Sequence, residues 1–323
     1  MDLVSRAPGR RWNLALLLAL VLLQAPLWLN PGYFSHDELQ WQARAFGNAW
    51  TRLPFVPWWN FSDFQFRPLT FNLWLLLSHA LFDTPRLFHF VFVLLGSCNA
   101  LLLAAVLRRA GCHAGVALGA ALVFGLSPFA VWVHGWVGCL ADLLWVGLAL
   151  GIVALLQRLD AALPVRGATL AGAAVGAAIA TALALLSKEA ALAIPALLAL
   201  GTALLRFPRT WAAATLASGL VAVAYLALRL DTLTSAGASS IYTLHLGALP
   251  MRWLEYMVFP WTLGVQEIHV LRRVDGAKWM ELAIAPLALA LCLWLASPRL
   301  WLAWLAGSVL VLGPVLALPL SAN

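Results

Sequence analysis

Residues 87–109 read LFHFVFVLLGSCNALLLAAVLRR, an apolar run that stops on two arginines. Wound as a helix, such a run covers the roughly 30 Å of a bilayer's hydrocarbon core, which takes about 20 residues. Arg108 and Arg109 then mark the point where the chain returns to water and, by the positive-inside rule, to the cytoplasm. A membrane barrel would instead show short segments of alternating hydrophobicity, and none appear. Working outward, further apolar runs of about 17 to 23 residues recur along the chain, which predicts an all-α polytopic membrane protein, a bundle of about nine or ten transmembrane helices.

Composition points the same way. Of 323 residues, 63% are hydrophobic and 10% charged, and the mean hydropathy is +0.89; soluble domains carry about 25% charge. The net charge of +7 reads as topology, because Lys and Arg sit at the ends of apolar runs and form no basic face, so no nucleic acid is expected as a partner. Cys98, Cys112, Cys139 and Cys292 lack metal-ligand spacing and read as small packing residues.

The first span, about Trp12 to Leu29, follows Arg6, Arg10 and Arg11, which hold the N-terminus in the cytoplasm. It lacks a small-x-small cleavage site, so it reads as an uncleaved span and not a signal peptide. Residues 30–86 then form an outer loop with juxtamembrane helices, rich in Trp, Phe and Pro, including the short helix PLTFNLWLLLSHALF from Pro68 to Phe82. Later spans alternate at about 114–133, 136–157, 167–186, 190–205 and 211–230, which keeps Arg158, Arg166, Arg206 and Arg209 inside. The segment MRWLEYMVFPWTLGVQEIHVLRR either crosses, with Arg272, Arg273 and Lys278 inside, or lies at the outer interface. Spans at about 279–296 and 300–319 close a single domain over 1–323, expected in a cytoplasmic (inner) membrane.

This alternation collects the charged residues of interest at the outer face. Asp37 and Glu38, in SHDELQWQARAF, fit a helix start, where an acid is also well placed as a base; the plain alternative is a solvated cap. Asp142 lies inside an apolar span, where a carboxylate costs about 2.5–3.5 kcal/mol unless it faces a cavity or a partner such as His134 or an Arg. Lys188 and Glu189 are neighbours in LLSKEAALAIPALLAL and do not face each other on a helix. Lys188 reads as aimed at an anion with Glu189 orienting it, or the two simply mark a turn. Arg67 and Arg229 can each grip a phosphate through a planar guanidinium, or snorkel to headgroups.

These motifs resemble the GT-C superfamily of membrane glycosyltransferases, which use polyprenyl-phosphate-linked sugars. HDE after the first span and RPL after the loop carry the general likeness. LSPFAVWVHGWVGCLADLL, LLSKEAALAIPALLAL and LPLSAN are similar to successive segments of the transmembrane and tetratricopeptide-repeat mannosyltransferases and their bacterial relatives. The resemblance implies Asp37, with Glu38 beside it, as the acid of the first outer loop, Asp142 as the acid of the second outer motif, and Lys188 and Glu189 as the Lys-Glu pair; joined to the residue readings above, this gives a catalytic set of Asp37, Glu38 and Asp142, donor-phosphate ligands Lys188, Arg67 and Arg229, and orienting groups Glu189 and His134. The chain departs from the family where Phe129 to Trp132 and Leu140 are apolar, in having no tetratricopeptide repeats, and in stopping at Asn323, so a truncated or reduced member is expected.

The activity implied is transfer of a sugar from a polyprenyl-phosphate donor to an acceptor hydroxyl on a protein, lipid or glycan, at the outer face of the membrane, with inversion. Metal stays open. Asp37, Glu38 and Asp142 offer oxygens to a divalent cation, whereas a Lys and Arg clamp neutralises phosphate without one; no cofactor is assigned. The competing readings are a secondary transporter or flippase, with Asp142 relaying protons, and a non-catalytic remnant or assembly subunit.

Overall fold

The computed structural model describes residues 10–31, 36–47, 52, 56, 65–161, 167–204, 207–235, 247, 249–258, 287–313 and 316. Among them the regular elements are all helical: α1 (Arg10–Leu23), α2 (Ala25–Leu29), α3 (His36–Phe46), α4 (Pro68–Leu81), α5 (Pro85–Arg109), α6 (Ala114–Leu126), α7 (Pro128–Gly135), α8 (Leu140–Ala161), α9 (Gly167–Leu185), α10 (Ala193–Leu204), α11 (Arg209–Ser235), α12 (Leu249–Val258), α13 (Leu287–Ala296) and α14 (Pro298–Leu312). Single 3-10 turns at Val137–Cys139 and Glu189–Leu192 lead into α8 and α10. Asp63, Arg166, Arg206, Arg272, Arg273, Lys278 and the terminal LPLSAN lie outside the described residues.

Among the described residues four helices are long and apolar enough to cross a membrane: α5, α8 with its leading turn, α9 and α11. They become five if α6 and α7 form one broken span, and four further apolar helices have 10–17 residues. The chain is thus compatible with a multi-pass membrane protein. The expected nine or ten full spans resolve, among the described residues, into this mixture of long, broken and short helices.

Proline explains two of the breaks. Pro26 opens α2 and has no N–H to give to the preceding turn, so the first span divides at Gln24. At the second break Ser127 is extended, its hydroxyl accepts the Ala130 N–H, and Pro128 begins α7, with a 55° bend between the pieces. The short helix expected at Pro68–Phe82 is α4, of 14 residues.

Helix α5 is the spine, in contact with α1, α2, α6, α7 and α8. Its fit to α8 is close because Gly147 leaves room for Asn99, whose amide donates to the Leu143 carbonyl at 2.8 Å. Helices α9 and α11 pair along small residues. Ala173, Ala177, Thr181 and Ala184 of α9 are buried, as are Ala214, Ser218 and Ala222 of α11, and Thr181 Oγ1 donates to Ser218 Oγ at 2.9 Å. Small side chains let the backbones approach, and a hydroxyl pair satisfies itself across the seam. Continued at helical spacing, the same α11 stripe carries Tyr225 and Arg229, both buried, to one end of the bundle.

Candidate functional site

The site is built around a corner in the chain. Helix α9 ends at Leu185, and the Ser187 and Lys188 N–H groups both return to the Ala184 carbonyl. Lys188 itself is extended, at φ −158 and ψ 140, before the turn at Glu189 begins. The break throws the two adjacent side chains in different directions. Lys188 Nζ donates to Asp142 Oδ1 at 2.5 Å, whereas Glu189 Oε2 accepts from both Nε and Nη2 of Arg67, each at 3.0 Å.

Helix α4 brings Arg67 there. The Leu69 N–H donates to the Leu186 carbonyl at 3.1 Å, and Thr70 Oγ1 donates to the Ser187 carbonyl at 3.0 Å. With its first turn docked on the corner, α4 presents Arg67, the residue just before it, to Glu189. Asp142 arrives from the first turn of α8, where the helix N-terminus favours a carboxylate.

Behind the two ion pairs lies an aromatic wall. Phe66 is buried, its ring 5.5 Å from the Arg229 guanidinium and 6.4 Å from the Tyr225 ring. The charged groups facing the Tyr225 hydroxyl are Glu189, Arg229 and Arg67. Five residues singled out in the sequence, Asp142, Lys188, Glu189, Arg67 and Arg229, therefore share one region at one end of the bundle. The side chains of both ion pairs are 22–32% exposed, so solutes can reach them. The buried polar atoms nearby without a hydrogen-bond partner among the described residues include Glu189 Oε1 and Nε1 of Trp145, one turn beyond Asp142 on α8.

Comparison with known protein families, curated proteins and solved structures finds no match.

Three further sequence candidates are Asp37, Glu38 and His134. Asp37 is the second residue of α3, and its side chain lies outside those described. Glu38 is buried, and its charge faces the imidazole of His89, which bonds the Gly135 backbone. His134 does not reach Asp142, the acid it was expected to orient. Its Nδ1 pairs with Gln24 Oε1 at 2.5 Å, the Gln24 amide donates to the Leu20 carbonyl at 3.0 Å and to Ser97 Oγ at 3.4 Å, and Gly96 supplies the space for the ring. That network ties the α1–α2 break to α5 and α7. Among the described residues no three His, Cys, Asp or Glu side chains gather to hold a metal ion.

Tyr225, Trp145 and Phe66 were not singled out in the sequence. A signal for Tyr225 was there: it precedes Arg229 by four residues on α11, one helical turn, and so shares its face. For Trp145 and Phe66 the chain offers no local cue.

Proposed function

We propose that the chain is a GT-C-like glycosyltransferase that moves a sugar from a polyprenyl phosphate to an acceptor hydroxyl at the outer membrane face. The observation that supports the reading is the pair of partly exposed ion pairs, Lys188 with Asp142 and Arg67 with Glu189, set side by side by one chain corner. A phosphate competes for both cations on equal terms with the carboxylates, because a charge-assisted N–H···O bond serves either anion. In an apolar surround such cations stabilise the negative charge that develops on a leaving phosphate.

The proposed chemistry is one displacement. The acceptor oxygen bonds to the anomeric carbon from the face opposite the phosphate, and its proton passes to the Asp37 carboxylate. The bond from that carbon to the phosphate oxygen breaks, and its electron pair leaves on the phosphate, held by Lys188, Arg67 and Arg229. The anomeric centre inverts. No step is routed through a metal.

The test is transfer of radiolabelled hexose from polyprenyl phosphates in reconstituted vesicles, comparing the wild-type chain with Asp37→Asn and Lys188→Met. The expected result is inverting transfer that both substitutions reduce. Equal transfer by Asp37→Asn removes Asp37 as the base. Proton-coupled solute uptake with no transfer by the wild type overturns the reading in favour of a transporter.

A further inference from the structure

At the other end of α8, about 27 Å from Asp142 at 1.5 Å per residue, the helices enclose a cavity of ≈ 600 Å³ that the charged site does not use. It lies between the C-terminal ends of α5, α8 and α10, the start of α11, and α14. Ile152, Ile194, Leu198 and Trp211 are among its walls, and Arg109 and Asp160 are among its polar lining groups.

The two charges are not equivalent. Asp160 is engaged within the protein: its Oδ1 accepts from Thr210 Oγ1, and its Oδ2 accepts from Trp211 Nε1 at 2.7 Å. Those bonds clamp α8 to the start of α11 and leave the carboxylate as part of the wall. Arg109 is exposed at the end of α5. Arg158, beside the lining residue Gln157, and Arg209, beside the lining residue Pro208, are exposed as well. An apolar chamber of small-molecule size with an exposed arginine, Arg109, in its lining has the two parts an amphiphilic anion needs. Basic pockets between transmembrane helices take the headgroups of anionic lipids.

We infer that this cavity is a binding site for an anionic diacyl phospholipid, its acyl chain among Ile152, Ile194, Leu198 and Trp211 and its phosphate on Arg109. The site is separate from the ion-pair cluster and does not depend on the transfer reading. Its effect is to fill the space between α14 and the α5–α8–α10 group, so the lipid acts as part of the bundle.

The full chain, purified in mild detergent, is offered equimolar phosphatidylglycerol and phosphatidylcholine of matched chains, and retained lipid is counted by native mass spectrometry. Inorganic phosphate is offered in a separate arm. Phosphatidylglycerol should be retained in preference, and Arg109→Gln should lower that preference about fivefold, the worth of one basic residue at an anionic headgroup. Ala303→Phe, which projects a ring from the α14 wall into the cavity, should abolish retention of both lipids. Labelling of buried Cys139 at the wild-type rate verifies that these variants are folded, and an Ala303→Leu variant serves if the larger ring unfolds the chain. Equal retention of the two lipids, binding of inorganic phosphate as tight as that of phosphatidylglycerol, an unchanged preference in Arg109→Gln, or undiminished retention in both Ala303 variants overturns the inference.

Discussion

A methyl group added at Gly96 would sit 1.9 Å from His134 Nε2, with the neighbouring ring carbons at 2.3 and 2.4 Å, so Gly96→Ala requires the imidazole to move. The ring cannot move freely, because His134 is 2% exposed and its Nδ1 is held by Gln24. Overpacking a tight site costs about 1–3 kcal/mol, and a buried polar group that loses its partner costs about 1–3 kcal/mol more. Some relaxation offsets the sum, and Gly96→Ala should destabilise the α5–α7 contact by about 2–4 kcal/mol, which at 1.4 kcal/mol per factor of ten is about 30- to 700-fold in an opening equilibrium. Cys139, buried just after α7, reports that opening. With the other three cysteines replaced by serine, its labelling by a thiol reagent in detergent should accelerate by that factor, provided reclosing outpaces labelling. His134→Ala makes room for the new methyl, so the double variant should be more stable than the two single effects add up to, by about 0.5–3 kcal/mol. Cys139 labelling in Gly96→Ala within twofold of the parent would refute the packing argument and return His134 to the list of residues available for chemistry.

If the cations hold a leaving phosphate, Lys188→Met should lower transfer by about 10²–10³-fold, the usual loss on removing one transition-state stabilising group, and Lys188→Arg should recover part of it; initial rates from labelled donor decide. Arg67→Met leaves Glu189 without its partner and should destabilise the corner by about 1–3 kcal/mol, whereas Arg67→Met with Glu189→Leu should recover stability in thermal unfolding without recovering transfer. Tyr225→Phe deletes a buried hydroxyl that faces Arg67, Glu189 and Arg229; it should lower stability by about 0.5–1.5 kcal/mol, the worth of one hydrogen bond, and alter transfer kinetics, and unchanged kinetics would place Tyr225 in the wall alone. Thr210→Val with Trp211→Phe strips both donors from Asp160 and should loosen the α8–α11 clamp by about 1–3 kcal/mol, read from amide exchange at the start of α11.

The sequence alone determines where the helices lie and where they stop. Apolar run length sets α5, α8, α9 and α11, and Pro26 and Pro128 interrupt two other apolar runs because a residue without an N–H cannot complete the turn before it. It also marks Asp142, Lys188, Glu189, Arg67 and Arg229 as unusual, since an ionisable group within or beside a span needs a partner. That Lys188 and Glu189 do not pair with each other is expected of neighbours on a helix, but it is the extended backbone at Lys188 that separates them.

Only the tertiary structure decides who the partners are. Lys188 finds Asp142 across 46 residues of chain, and Glu189 finds Arg67 across 122, separations over which no local periodicity carries information. His134 had the right residue type to orient Asp142, but the break at Gln24 and the space above Gly96 draw it to another network. The Arg109 cavity was invisible for the same reason: α5, α8, α10, α11 and α14 each show an ordinary apolar face in sequence, and the space left between them depends on how the side chains of all five meet.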